Sequence, residues 1–195
     1  MSPLHVLMPL ADGVEEMEAV ILADVFRRAG WTVTLAGLRA GPVTASRGVR
    51  LLPDATWADA ADKPCDLLAL PGGGPGTLAL AADARVTGRV RAQVAAGRPV
   101  AAICAAARVL DRAGVLRARR YTCFPGVQSE LSEGEWVDAP VVVDGPLHTS
   151  QGPGTAFAFA LHLTAALESP DRAERLRREL LLPAGPPGGQ AAIRG

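Results

Sequence analysis

The chain has 195 residues, 49% of them hydrophobic, with 20 basic and 20 acidic side chains. That length suits one domain with a sizeable core, and the apolar content excludes wholesale disorder. Balanced charge without a long Lys/Arg run leaves no electrostatic footprint for nucleic acid, and no uncharged apolar stretch of ~18 residues is present to span a bilayer.

The first residues, MSPLHVLMPLADG, lack the basic region and the apolar length of a signal peptide. "LHVLMPL" (4–10) reads as a strand and "VEEMEAVILADVFRRAG" (14–30) as a helix stopped at Gly30. "WTVTLAGL" (31–38) reads as a second strand, and "GPVTASRGVRLLPD" (41–54) as a hairpin turning near Ser46, Arg47 and Gly48. "DLLALP" (66–71) is a short buried strand running into "GGGPG". A helix is expected over 83–97, a buried strand at 99–103, and helix again to about Gly114. Strand-like segments follow at 120–124 and 141–150, then helices from Thr155 to Glu168 and over 170–182. Strand and helix alternate, and several strands are continuous apolar runs. Both features predict an α/β sandwich with a mainly parallel sheet covered on both faces. One domain is expected over 1–183, with the Pro/Gly-rich segment 184–195 as a disordered tail.

Three cysteines, at 65, 104 and 123, are too few and too far apart for a disulfide framework or a zinc site. Reduced thiols in the cytoplasm are the simplest expectation, with no metal and no cofactor. Cys104, in "VAAICAAARVL", admits two readings. Free cysteine is commonly a small buried hydrophobe. Yet Cys104 lies at the carboxyl end of a predicted strand, where open α/β sheets place their ligands. It also precedes a predicted helix, whose N-terminal dipole favours thiolate. Small neighbours (Ala101, Ala102, Ala105, Ala106) allow a sharp strand-to-helix turn resembling the nucleophile elbow of hydrolases.

A possible partner lies in "DGVEEMEAV" (12–20). Glu15 and Glu16 are explained by the helix dipole. Glu18 shares a stripe with Val14, Ile21 and Val25, so it falls on an apolar face. A carboxyl there tends to stay protonated and can donate a hydrogen bond. The glycine loop "LPGGGPG" (70–76) is either a tight turn or half of an oxyanion hole, made by the Gly73 N–H and the N–H following Cys104. It carries neither a Walker lysine nor a dinucleotide fingerprint. His5, His148 and His162 lie in apolar surroundings without ligand spacing and read as structural. Cys65 reads as inert, and Cys123 as a possible second thiol near the site.

"EEMEAV", "LAGL", "SRGV", "PDA", "LPGG", "AAICAAA" and "TSQGPGT" stand in the order found in the ThiJ/PfpI superfamily. Over residues 4–182 the chain resembles the branch of the parkinsonism-associated deglycase and its bacterial relatives. The resemblance implies a flavodoxin-like three-layer sandwich that forms a homodimer. It implies that Cys104 is a low-pKa nucleophile readily oxidised to sulfinate, and that Glu18 is the protonated carboxyl beside it. Gly73 and Ala105 match the oxyanion donors; Gly72, Phe124 and Pro153 match the pocket. Arg47 matches an arginine near the pocket or the dimer seam, and Arg28 a dimer contact. There are departures. Phe124 stands where animal members carry histidine, so no Cys–His–acid triad is available there. Ala105 replaces the histidine of protease-like members, and the downstream His-x-Glu pair of related amidotransferases is missing.

The expected activity is that of a cofactor-independent glyoxalase or deglycase. Its substrates would be methylglyoxal, glyoxal, or their early adducts on proteins and nucleotides. The alternative is a redox-sensing stress chaperone in which Cys104 is oxidised; a small cysteine hydrolase is a third possibility.

Overall fold

The computed structural model describes residues 3–183 and 192–194. Strand β1 (His5–Leu10) is buried from Val6 onward, as its unbroken apolar run requires of a central strand. Helix α1 (Glu16–Arg28) ends where Gly30 takes φ +84°. The Gly30 N–H donates to the Arg27 carbonyl and the Trp31 N–H to that of Phe26, both at 3.0 Å. This is a Schellman closure, and the Trp31 ring completes it by stacking on Phe26 at 5.1 Å. Strand β2 (Thr32–Gly37) then pairs parallel to β1.

The expected hairpin is present as β3 (Val43–Thr44) and β4 (Arg50–Leu51), a two-stranded sheet of its own. β5 (Ala55–Thr56) returns to the edge beside β2 and leads into the short α2 (Trp57–Ala60). β6 (Leu67–Leu70) is wholly buried and is followed by α3 (Gly74–Ala82) and α4 (Ala84–Ala95). β7 (Val100–Ile103) runs into a 3-10 turn (Cys104–Ala106) and α5 (Ala107–Arg112). Beyond them lie β8 (Arg120–Tyr121), β9 (Glu135–Trp136), β10 (Val141–Asp144) and β11 (Leu147–Ser150). Helices α6 (Ala156–Leu167) and α7 (Pro170–Glu179) and strand β12 (Ala192–Arg194) complete the described residues.

Among the described residues the main sheet runs β12-β10-β11-β7-β6-β1-β2-β5, parallel throughout except for the β10–β11 hairpin. Helices α1, α6 and α7 pack on one another, and α3, α4 and α5 form the second group. This is the flavodoxin-like arrangement. The chain leaves β1 outward to β2, then returns to β6 on the other side of β1. The crevice at the carboxyl ends of β1, β6 and β7 is therefore a topological switch point.

Three local expectations change. The glycine loop is brief, because α3 begins at Gly74: Pro75 suits the first turn of a helix, where its missing N–H is not needed. The strand expected over 120–124 stops at Tyr121, since the Thr122 N–H donates to the Thr149 hydroxyl (2.9 Å) instead of joining a ladder. The expected disordered tail falls mostly on 184–191 and 195, outside the described residues, while Ala192–Arg194 adds a strand parallel to β10.

Candidate active site

Cys104 sits on a reversal of the backbone. Ile103 is extended at φ −119°, and Cys104 itself takes φ +62°. A non-glycine residue in that left-handed region stores roughly 1–3 kcal/mol of strain, which only surrounding structure can hold in place. Ala105 and Ala106 are buried directly after it, so small side chains make the tight crossing possible. Cys104 keeps 8% of its surface exposed.

Glu18 faces it from α1 with no exposure at all. It occupies the third position of the helix, where the Glu15 carboxylate caps its N–H at 2.8 Å. The Gly72 N–H donates to Glu18 Oε2 at 2.7 Å. Oε1 is buried and meets no donor of good geometry. A methyl group placed on Gly72 would lie 2.6 Å from both Cys104 Cβ and Glu18 Oε2, and 3.0 Å from the sulfur. One missing side chain therefore lets thiol and carboxyl share a wall of the crevice. Gly73, at φ +96°, is equally constrained: a Cβ there would sit 2.2 Å from the Gly13 carbonyl oxygen. The loops after β1, β6 and β7 are thus clasped together at the switch point.

Burial pushes the Glu18 carboxyl up to about 7, against the opposing pull of the Gly72 N–H and the Cys104 thiol, while the charge of Glu15 adds to the rise. The expected low-pKa thiol requires correction. Burial pushes Cys104 up to about 12, and an ionised Glu18 reinforces the rise, whereas the N–H groups of Ala105 and Gly73 oppose it. The crevice resists a second negative charge. Near neutral pH the charge that the pair carries therefore rests on the Glu18 carboxyl, and the sulfur becomes anionic only by passing its proton to that carboxylate.

The other sequence-derived residues are placed as follows. Gly73 and Ala105 bring their N–H groups to the sulfur. The Phe124 N–H donates to the Cys104 carbonyl at 3.3 Å, and its half-exposed ring lies over Gly152, next to Pro153. Arg47 stands exposed at the hairpin tip, and its N–H donates to Glu16 Oε1 at 2.9 Å. Arg28 pairs with Asp24 along the surface of α1. Cys123 is fully buried, and burial pushes its thiol up to about 11. Cys65 lies at the opposite end of the sheet, with Arg89 Nη2 3.1 Å from its sulfur. His5 bonds to the Pro64 carbonyl and the Thr34 hydroxyl. His148 and His162, without obvious spacing in sequence, meet at 3.1 Å between β11 and α6.

Two features escaped the sequence. Glu16 does more than complement a dipole: it accepts from the Ser46 hydroxyl at 2.8 Å and from the Arg47 N–H, which straps the hairpin to α1. Arg108, in the first turn of α5, holds Glu130 in a two-pronged ion pair at 2.8 and 2.6 Å. Sequence spacing gave no guide, because Cys104 lies on a left-handed turn ahead of α5 and does not share its face. Among the described residues no group of three His, Cys, Asp or Glu is placed to hold a metal ion, and no helix is long and apolar enough to cross a membrane.

A strained cysteine after a central strand, with a buried carboxyl at the same switch point, defines a class of flavodoxin-like α/β proteins with a candidate cysteine nucleophile. Comparison narrows that class. The DJ-1/PfpI family model matches residues 4–166, and the chain belongs to that family. It is 42% identical to protein dj-1beta of Drosophila melanogaster over 90% of this chain and 96% of the relative. It is 37% identical to the glutathione-independent glyoxalase DJR-1.2 of Caenorhabditis elegans, over 91% and 95%. The crystal structure of Drosophila melanogaster DJ-1beta superposes with a TM-score of 0.90 at 40% identity, covering 94% of this chain and all of that one. A cysteine-to-alanine mutant of a Salmonella typhimurium DJ-1 superfamily protein gives 0.88 at 34% identity, covering 93% of this chain and all of that one.

Proposed function

We propose that the protein is a cofactor-independent glyoxalase that converts methylglyoxal and glyoxal to hydroxy acids through Cys104. Early adducts of these dicarbonyls on proteins and nucleotides are the second substrate group. The observation that carries this reading is the Cys104–Glu18 couple, sulfur and carboxyl meeting at Gly72 with the carboxyl raised to about 7. A glyoxalase-named relative supports it. Glu18 takes the thiol proton as the sulfur attacks the aldehyde carbon, forming a hemithioacetal. The N–H groups of Gly73 and Ala105 stabilise the alkoxide. Glu18 gives that proton to the alkoxide and, as a carboxylate again, moves the proton of the former aldehyde carbon to the neighbouring carbon through an enediol, which leaves a thioester. Water hydrolyses the thioester to the hydroxy acid and restores the thiol. A group raised to about 7 is matched to such proton traffic at neutral pH.

The test follows lactate formed from methylglyoxal by purified protein against a Cys104→Ala control. Lactate above the control is expected; equal yields would remove the proposal. The unpartnered Glu18 Oε1 supports a second reading, a redox sensor, because a protonated carboxyl there can donate to an oxygen added to the sulfur. Mild peroxide should then add oxygen to Cys104, read by mass spectrometry, and an unmodified Cys104 would end that reading. A cytoplasmic homodimer, with Arg47 and Arg28 toward the partner, belongs to the same proposal.

A further inference from the structure

We infer that Arg108 is a positioning residue for the nucleophile: its fixed positive charge, held under the Cys104 turn, favours the anion of the Cys104–Glu18 pair. The inference rests on reading Cys104 as the nucleophile. Arg108 lies on α5, which opens directly after the Cys104 turn, and its guanidinium crosses to Thr77 on α3, the helix that begins at the glycine loop. Two contacts fix it. Glu130 takes two of its N–H groups at 2.8 and 2.6 Å, and Nη1 lies 3.5 Å from the Thr77 hydroxyl.

Thr77 ties the cation to the oxyanion loop. It is completely buried, and its hydroxyl donates toward the carbonyls of Gly73 and Gly74, at 2.9 and 3.0 Å. Gly73 in turn brings its N–H to the sulfur. The chain Arg108–Thr77–Gly73 therefore couples the cation to one of the two donors that face Cys104.

The ion pair does not cancel this field. The Arg108 side chain is 17% exposed and that of Glu130 52%, so water screens the carboxylate far more than the guanidinium. The protein side of the pair is thus the positive side. Ionised Cys104 and Cys123 would each raise Arg108, so the cation lies within electrostatic reach of both sulfurs.

The experiment measures iodoacetamide alkylation of Cys104 by intact mass between pH 5 and 9, for wild type, Arg108→Gln and Arg108→Lys. This readout is independent of methylglyoxal turnover, so failure of the glyoxalase proposal would leave it intact. Arg108→Gln is expected to move the pH profile up by about one unit and slow alkylation at neutral pH about tenfold. Arg108→Lys, which keeps the charge, is expected to restore most of the shift. An unmoved profile in Arg108→Gln, or a lysine variant as slow as the glutamine one, would overturn the inference. Should Arg108→Gln not fold, Glu130→Gln replaces it: removing the exposed carboxylate leaves the cation unopposed, and the profile should fall to lower pH. A profile unchanged in that variant would equally refute the assignment.

Discussion

Among the described residues two buried titratable pairs respond to pH in opposite senses. Glu18 and Cys104 meet at the carboxyl end of the central strands; His148 and His162 meet between β11 and α6. Burial acts first on both. It raises the acid, Glu18, from 4.5 to about 7, and lowers the base, His148, from 6.5 to about 4, where repulsion by a charged His162 adds to the effect. The histidines answer by staying neutral and bonding to one another, which suits a core. The acidic pair is not satisfied in that way: with Glu18 raised to about 7, it passes between neutral and singly charged near neutral pH at a site that resists the charge. A buried pair that relaxes is structural; one held under electrostatic tension and backbone strain is the candidate for chemistry.

The largest expected effect comes from breaking the geometry of the acidic pair. Gly72→Ala introduces a carbon 2.6 Å from Cys104 Cβ and from Glu18 Oε2, and neither backbone can yield freely. Overpacking of this kind costs about 1–3 kcal/mol. Thermal unfolding should show the loss, and iodoacetamide alkylation of Cys104 should collapse toward the rate of the unfolded chain. The same change at Gly97, where nothing lies within 4 Å of an added Cβ, meets no such clash, although its φ of +68° strains any side chain.

Glu18→Gln sharpens the comparison because it separates stability from turnover. A carboxyl whose folded pKa is raised supports the fold fully below pH 4.5, and that support is lost as pH rises through about 7. Glutamine carries no charge to lose. At pH 8 the variant is therefore expected to be more stable than wild type, by up to about 3 kcal/mol before relaxation of the site is counted. Turnover of methylglyoxal should fall by about 10²-fold or more, as for loss of a general acid–base. Melting temperatures at pH 5 and 8, read beside lactate formation, check both signs. A variant less stable at pH 8 than wild type would show that the carboxylate is satisfied in the native site.

The histidine pair gives the mirror-image slope. A base whose folded pKa is lowered supports the fold above pH 6.5, and that support is lost as pH falls through about 4. Replacing His148 by Gln keeps a polar group opposite His162 and removes the titration. The melting temperature of the variant should decline less than that of wild type between pH 7 and pH 4.5. An equal decline would place the acid sensitivity elsewhere.

Much of this was legible beforehand, and the reasons are local. The apolar run 66–71 and the alanines around Cys104 can pack in few ways, so the parallel sheet and the strand-to-helix turn followed from pattern. Glu18 was visible as a carboxyl on an apolar stripe. Other features depend on contacts between residues far apart in the chain. The Thr122 N–H leaves its strand for a hydroxyl 27 residues away. His148 and His162 come together only because β11 lies against α6. The raised thiol was missed for a physical reason: the sequence displays the helix dipole that favours sulfur anions, but not how deeply the sulfur is buried or that Glu18 is close enough to compete for the charge.

The smallest effect is expected at Cys65, and it tests whether burial alone makes a thiol special. Cys65 is as enclosed as Cys104 and also has a cation in contact, a guanidinium nitrogen 3.1 Å from its sulfur. It lacks the other parts. Its backbone is unstrained, and its second neighbour is the Gln93 side chain at 3.8 Å instead of a carboxyl able to take its proton. Cys65→Ala should cost about 1 kcal/mol or less, in line with removal of one small buried group, and leave Cys104 alkylation unchanged. If Cys65 is alkylated as fast as Cys104 in the folded wild-type protein, a nearby cation is sufficient for reactivity. The strained turn and the carboxyl would then lose their special standing.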